Sequence, residues 1–437
     1  MLFKNFKRTE FATNVLTLMT GTAIAQAIPI AISPLLTRIY SPDDFGIFGL
    51  YLAIVTIIAV AAAGRYEIAI MLPKENEDAI NILALSVIIT FFICLFLSII
   101  ILIFQNQFFY LFSLKFKNIN ISEVRLWLYL IPFSVFFISL FQIFNYWSTR
   151  QKTFKVNSIA RVSQSTTYSI SSLGLNYLIK GSTGLIIGNL IGYITAFLVL
   201  SWSFIKDLKK YIPLINRRKI KENAIIYKAF PIVNAPPALL GAMQDQGIIF
   251  IIAYFFASSL VGCFSFTNRI MRLPVGLIGA SLHQVFYQKA STLHNNNLST
   301  RPLVIKLYKQ CFYIGLPIFL FIFFTAPWLF SFVFGSQWRY AGVIAQILTP
   351  WLFLNFIASP ISSLPLITNN QKKAMYFVIV DISLRIISLT IGGLIGNFKI
   401  GLILMSFTCS IVVIYALYWY YQLSGRLNTS GQAETIT

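Results

Sequence analysis

Twelve long apolar stretches follow one another along this chain of 437 residues, and they restrict its fold more than any other feature. An α-helix rises about 1.5 Å per residue and the hydrocarbon core of a bilayer is about 30 Å thick, so about twenty apolar residues make one crossing. The stretches run over residues 12–37, 45–64, 79–104, 124–145, 158–179, 184–205, 229–254, 259–286, 309–333, 341–367, 374–395 and 400–421. Without water to satisfy backbone N–H and C=O groups, such stretches fold as helices. The expected fold is an all-α integral membrane protein with about twelve spans. Its composition agrees, with 57% hydrophobic and 11% charged residues, against roughly 45–50% and 25% in soluble domains.

Lys4, Lys7 and Arg8 ahead of the first stretch, with Ala23-Ile24-Ala25 inside it, imitate a signal peptide and its cleavage site. The apolar run continues past that point to Leu36, so a retained first span is expected.

The chain carries 34 Lys and Arg against 13 Asp and Glu, a net charge of +21. Basic residues in short loops are held on the cytoplasmic side. With the N-terminus inside, 23 of the basic residues fall in cytoplasmic loops and tails and seven in external loops, which makes both termini cytoplasmic. The largest loop carries eight of them and divides the chain into an N-terminal lobe over 1–205, a basic cytoplasmic linker over 206–228, a C-terminal lobe over 229–421 and a tail over 422–437. Two lobes of six helices around a central cavity are expected, related as parallel repeats about an axis along the membrane normal. Short similarities between DDFGIFGLY around Gly46 and SLVGCFSFT around Gly262 point the same way. In the linker, Arg217-Arg218-Lys219-Lys221 suits anionic lipid headgroups or topology signalling, and no nucleic-acid partner is needed.

Cys94, Cys263, Cys311 and Cys409 each stand alone in apolar sequence, and His283 and His294 are isolated from them. No metal site, disulfide framework, covalent catalytic set or cofactor is expected. The absence of GxxxxGK[ST] argues against ATP-driven transport by this chain, and the absence of a large external loop argues against a polymerase or ligase.

Four basic residues fall inside spans: Arg161, Arg269, Arg272 and Arg385. A charge at mid-span costs about 2.5–3.5 kcal/mol on insertion scales, so such residues mark pathways or pair with one another. Arg269 and Arg272 share a face of span 8 with Asn268 beside them, about 15 and 20 Å from its external end. A basic central cavity is the favoured reading; the alternative is that they fasten helices through Asp245 or Asp381. Arg65 ends span 2 and either faces the cytoplasmic mouth of that cavity or snorkels, with Glu67 beside it. In span 7, Gln244-Asp245-Gln246 lies in a helix interrupted by Pro231, Pro236 and Pro237. Asp245 is read as a counter-ion for the arginines, with proton or cation coupling as the alternative. Asp381 and Arg385, four apart on span 11, are expected to form a structural ion pair. Arg161 is expected to snorkel, and the Ser/Thr-rich run 163–172 to serve helix packing.

Three stretches carry a family resemblance. FPIVNAPPALLGAMQDQGIIFIIAYFFASSLVGCFSFTNRIMRLPVGLIGASLHQVFYQKAS from Phe230 to Ser291 resembles the helix 7 and helix 8 region of Wzx-type O-antigen and polysaccharide flippases. FGSQWRYAGVIAQILTPWLFLNFIASPISSLPLITNNQKK from Phe334 to Lys373 and the opening GTAIAQAIPIAISPLLTRIYSPDDFGIFGLY are similar to the same family. The resemblance implies a member of the multidrug/oligosaccharidyl-lipid/polysaccharide (MOP) exporter superfamily, in a bacterial inner membrane, working by alternating access. It further implies an oligosaccharide on undecaprenyl diphosphate as the substrate, with a polysaccharide polymerase and a chain-length regulator as partners beside the membrane lipids. Arg269, Arg272 and Arg65 are candidates for the diphosphate by position and chemistry. A multidrug cation antiporter and a peptidoglycan lipid II flippase are the alternatives. The first would want an acidic cavity and the second more typically fourteen helices. The ion coupled to transport, H+ or Na+, is not encoded in any motif.

Overall fold

The computed structural model describes residues 10–115, 121–205 and 211–425, and helices account for nearly all of them. In chain order they are α1 (Glu10–Ile39), α2 (Pro42–Ala62), the single turn α3 (Tyr66–Ala69), α4 (Asn76–Lys115), α5 (Ile121–Arg150), α6 (Phe154–Leu175), α7 (Thr183–Ile205), α8 (Arg217–Ile226), α9 (Ala235–Phe255), α10 (Ser258–Asn295), α11 (Arg301–Phe334), α12 (Arg339–Ala358), the turn α13 (Leu364–Ile367), α14 (Gln371–Leu394) and α15 (Phe398–Ser424). Among the described residues, ten helical segments are long and apolar enough to cross a membrane. The spans expected over 158–179 and 259–286 are helices too, α6 and α10, but their Ser, Thr, Asn and Arg content makes them less apolar than the rest.

Two compact units divide the chain, one of residues up to Phe250 with Ala257–Gly262, the other of Ile251–Phe256 with everything from Cys263 onward. In the first unit, α6 packs between α1 and α7, and α5 contacts α2, α4 and α7. Small residues permit the close approach: a Cβ on Gly192 would lie 2.8 Å from the Gln164 carbonyl oxygen, and one on Gly188 would press on the Ser172 hydroxyl. Ser165, Ser169 and Ser172 are buried in this seam, and the Tyr40 hydroxyl donates to the Ser172 carbonyl at 2.6 Å.

The start of α2 is set by a reciprocal cap, in which the Ser41 hydroxyl accepts from Asp44 N–H and the Asp44 carboxylate accepts from Ser41 N–H at 2.8 Å. Residues 217–226 of the expected linker form α8, which docks on α4. Lys219 pairs with Glu77 at 2.8 Å, and Asn81 bridges to the Leu214 carbonyl and the Asn216 N–H. Part of the loop's charge is thereby used in tertiary contacts. Arg150, at the end of α5, donates to the carbonyls of Ile70, Lys74 and Glu75 and holds the turn from α3 into α4.

In the second unit α11 packs on α12, and α15 contacts α12 and α14. A cluster around Phe286, Ala290, Leu307, Leu364 and Trp419 joins α10, α11, α13 and α15.

Candidate functional site

The orientation of α10 about its axis is determined by its buried face. Val261, Phe264, Thr267 and Met271 recur at the three- and four-residue spacing of one helical stripe and are all buried. The Thr267 hydroxyl donates to the Ala341 carbonyl on α12 at 2.8 Å, and the Phe266 ring lies 4.6 Å from Trp338 and 4.9 Å from Phe334. With that stripe fixed, Arg269 and Arg272 point away from the core of the second unit and are exposed, and Asn268 is half-buried. They stand eleven and fourteen residues into the helix, roughly 16 and 21 Å along it. Two guanidinium groups three residues apart present forks of N–H donors that match phosphate oxygens bidentately.

Arg65 and Glu67 belong to the first unit. Gly64 and Arg65 both adopt left-handed conformations, φ 60° and 61°, and reverse the chain after α2. For Arg65 this is an uncommon backbone state. Its Nη1 lies 3.4 Å from Glu67 Oε1, and the Glu67 side chain is only 2% exposed. Burial pushes the Glu67 carboxyl above the ordinary glutamate range, opposed by its own N–H and by the Arg65 charge. Arg65 is thus engaged by a neighbour whose burial was not readable from the chain.

Asp245 is exposed on α9, also in the first unit, between the half-buried Gln244 and Gln246. The expected interruption of this helix is a π-helical turn over Phe230–Asn234, closed by Ala235 N–H donating to the Phe230 carbonyl. Pro231 and Pro236 cannot donate to an α-helical ladder, which gives the turn its cause. Asn268, Arg269 and Arg272 share one face of α10, and within the first unit Arg65 and the Gln244 to Gln246 patch belong to different elements.

Asp381 and Arg385 form an i, i+4 ion pair on α14, through Asp381 Oδ2 and Arg385 Nη2, and both residues are buried. The guanidinium also lies over the Trp351 ring of α12. Thirty residues separate Trp351 from Asp381, so no local spacing signals this contact. Arg161 differs from its expected snorkelling: it is half-buried on α6, and its Nε is enclosed without a hydrogen bond. Close packing of α6 between α1 and α7 accounts for this. Among the described residues, no three His, Cys, Asp or Glu side chains come together as metal ligands would.

The family profile described as polysaccharide biosynthesis protein matches residues 35–343. A comparison with curated proteins finds no significant sequence match. Among solved structures, the lipid II flippase MurJ in an inward closed conformation is similar at TM-score 0.71 and 18% identity, over 94% of this chain and 90% of that one. A multidrug resistance MATE family transporter of the MOP superfamily, outward-facing, gives TM-score 0.59 and 14% identity over 94% of each chain. A MOP superfamily transporter from Pyrococcus furiosus gives 0.59 and 14% over 94% of this chain and 95% of that one. These likenesses show that the chain shares the fold of those proteins, and the profile covers well over half of the residues. The chain belongs to the polysaccharide biosynthesis protein family and has the MOP superfamily fold.

Proposed function

We propose that the protein is a flippase that moves an oligosaccharide on undecaprenyl diphosphate from the cytoplasmic to the outer leaflet of the bacterial inner membrane, by alternating access, for O-antigen or another surface polysaccharide. The observation that carries this reading is the pair Arg269 and Arg272, exposed deep along α10 while the opposite side of the same helix is buried. Cations kept at that depth against the cost of insertion suit an anionic headgroup in transit. Membership of a polysaccharide biosynthesis family supports a glycan cargo. No covalent chemistry is required of the protein. Both termini are proposed to be cytoplasmic on the asymmetry of basic residues, and a polymerase and a chain-length regulator are proposed as partners downstream.

A second reading, with lipid II as the cargo, is favoured by the likeness to a lipid II flippase. Reconstitution separates the two. Vesicles containing the full chain are given a fluorescent lipid-linked oligosaccharide or lipid II, and its accessibility to a membrane-impermeant quencher is followed. Flipping of the oligosaccharide carrier in preference to lipid II is expected. Flipping of lipid II alone would replace this reading with the second, and export of cationic dyes without either lipid would favour a drug antiporter.

A further inference from the structure

We propose that the cleft between α14 and α15 binds one anionic phospholipid, with its phosphate on Lys372 and Lys373 and an acyl chain along the apolar trough below them. The cleft has a volume of about 710 Å³, and its walls include Tyr376 and Val380 of α14 and Ile411 and Tyr415 of α15. That volume falls in the range of roughly 300–1,000 Å³ of small-molecule sites. All four wall residues are exposed large apolar side chains, between 45% and 66% accessible.

Its two ends differ in chemistry. Lys372 and Lys373 occupy the first turn of α14, and Val380 lies eight residues further on, roughly 12 Å down the helix. The Lys373 ammonium sits 5.2 Å from the centre of the Trp419 ring. Trp419 is itself buried and packs on Phe377 at 5.1 Å, and Tyr415, one turn earlier on α15, lies 5.6 Å from the same ring. Thus one cation is held over an aromatic ring, and the second precedes it in sequence and also lines the cleft.

An amphipathic anion matches this arrangement from end to end. A free phosphate leaves the trough unused, and a zwitterionic lipid brings a cation of its own beside the two ammonium groups. A peptide strand would need backbone partners, and the walls offer only the tyrosine hydroxyls and the lysines. None of the lining residues is acidic, so nothing in the cleft competes for the lysines. Basic pockets between membrane helices are sites where anionic headgroups bind.

The test uses the full chain reconstituted in vesicles of equimolar phosphatidylglycerol and phosphatidylcholine, extracted in mild detergent, with the retained lipids counted per chain by mass spectrometry. One retained phosphatidylglycerol is expected, preferred over phosphatidylcholine by roughly thirtyfold for two lysines. Lys372→Gln with Lys373→Gln should bring the preference close to parity. Ile411→Trp, which fills the trough and leaves both lysines, should remove the retained lipid. Absence of preference in the parent protein, or undiminished retention in either variant, overturns the proposal. In a third arm undecaprenyl phosphate is added at the same mole fraction. Continued retention of phosphatidylglycerol supports the assignment, and its displacement gives the cleft to a polyprenyl chain instead.

Discussion

The guanidinium carbon of Arg385 lies 4.7 Å from the centre of the Trp351 ring, which joins a charge on α14 to the aromatic face of α12. The same guanidinium pairs with Asp381 one turn earlier, and both charged residues are less than 9% exposed. Removing one partner of a buried pair leaves the other uncompensated, at about 3–5 kcal/mol, whereas replacing both with apolar residues is often neutral. Asp381→Ala should therefore lower the thermal unfolding midpoint in detergent substantially more than Asp381→Leu with Arg385→Met. Equal losses in the two variants would show that the charges are not coupled.

Glu67 makes stability depend on pH. Its carboxyl is raised by burial, so the unfolded chain releases this proton first as pH increases. The group's contribution is full below the ordinary glutamate pKa of about 4.3 and diminishes as pH rises through the raised value. Glu67→Gln abolishes that titration. Relative to the parent protein, the variant should gain stability as pH rises above the ordinary glutamate range, measured as the difference in unfolding midpoint. A difference that stays constant over that rise contradicts the assignment.

Gly46 and Gly262 meet backbone to backbone within the first unit. A Cβ on Gly262 would fall on the Pro42 carbonyl and 2.8 Å from Gly46 N, and one on Gly46 would fall on the Ser258 carbonyl and 3.2 Å from Gly262 N. The obstacle is main chain, which cannot swing aside as a side chain does. Alanine at either position should destabilise by about 1–3 kcal/mol through overpacking. Gly241→Ala on α9 is the control: nothing lies within 4 Å of its Cβ position, and helix propensity favours alanine by roughly 0.5–1 kcal/mol. Similar losses at all three positions would remove the steric explanation.

The sequence match between the Gly46 and Gly262 segments also illustrates how far residues alone can be read. Their similarity suggests a repeat, and in the structure they face each other as a small-residue contact. Span positions were legible because hydropathy over about twenty residues depends little on tertiary context. The Asp381 and Arg385 pair was legible because four-residue spacing is a local property of a helix. Trp351 was not, and neither was the docking of α8 through Asn81, since both depend on contacts between distant segments. The outward aim of Arg269 and Arg272 became definite only with the burial of Phe264, Thr267 and Met271 behind them.

That division of α10 into a packed and an exposed face governs what its arginines should do when altered. Arg269→Ala and Arg272→Ala leave Thr267 bonded to Ala341 and the Phe266 ring against Trp338, so the amount of protein in the membrane should be unchanged. Under the flippase reading each loses a charge-assisted contact to a diphosphate, worth roughly 1.5–3 kcal/mol, which corresponds to a fall in transport of about one to two orders of magnitude. Cells relying on either variant should lack surface polysaccharide. Lysine at either position keeps the charge but not the planar fork, so partial polysaccharide is expected from Arg269→Lys and Arg272→Lys. Immunoblotting of membranes beside polysaccharide gels separates lost transport from lost protein. If the double alanine variant, present at parental levels, still makes full polysaccharide, these arginines do not carry the substrate and the diphosphate must be met elsewhere along the path.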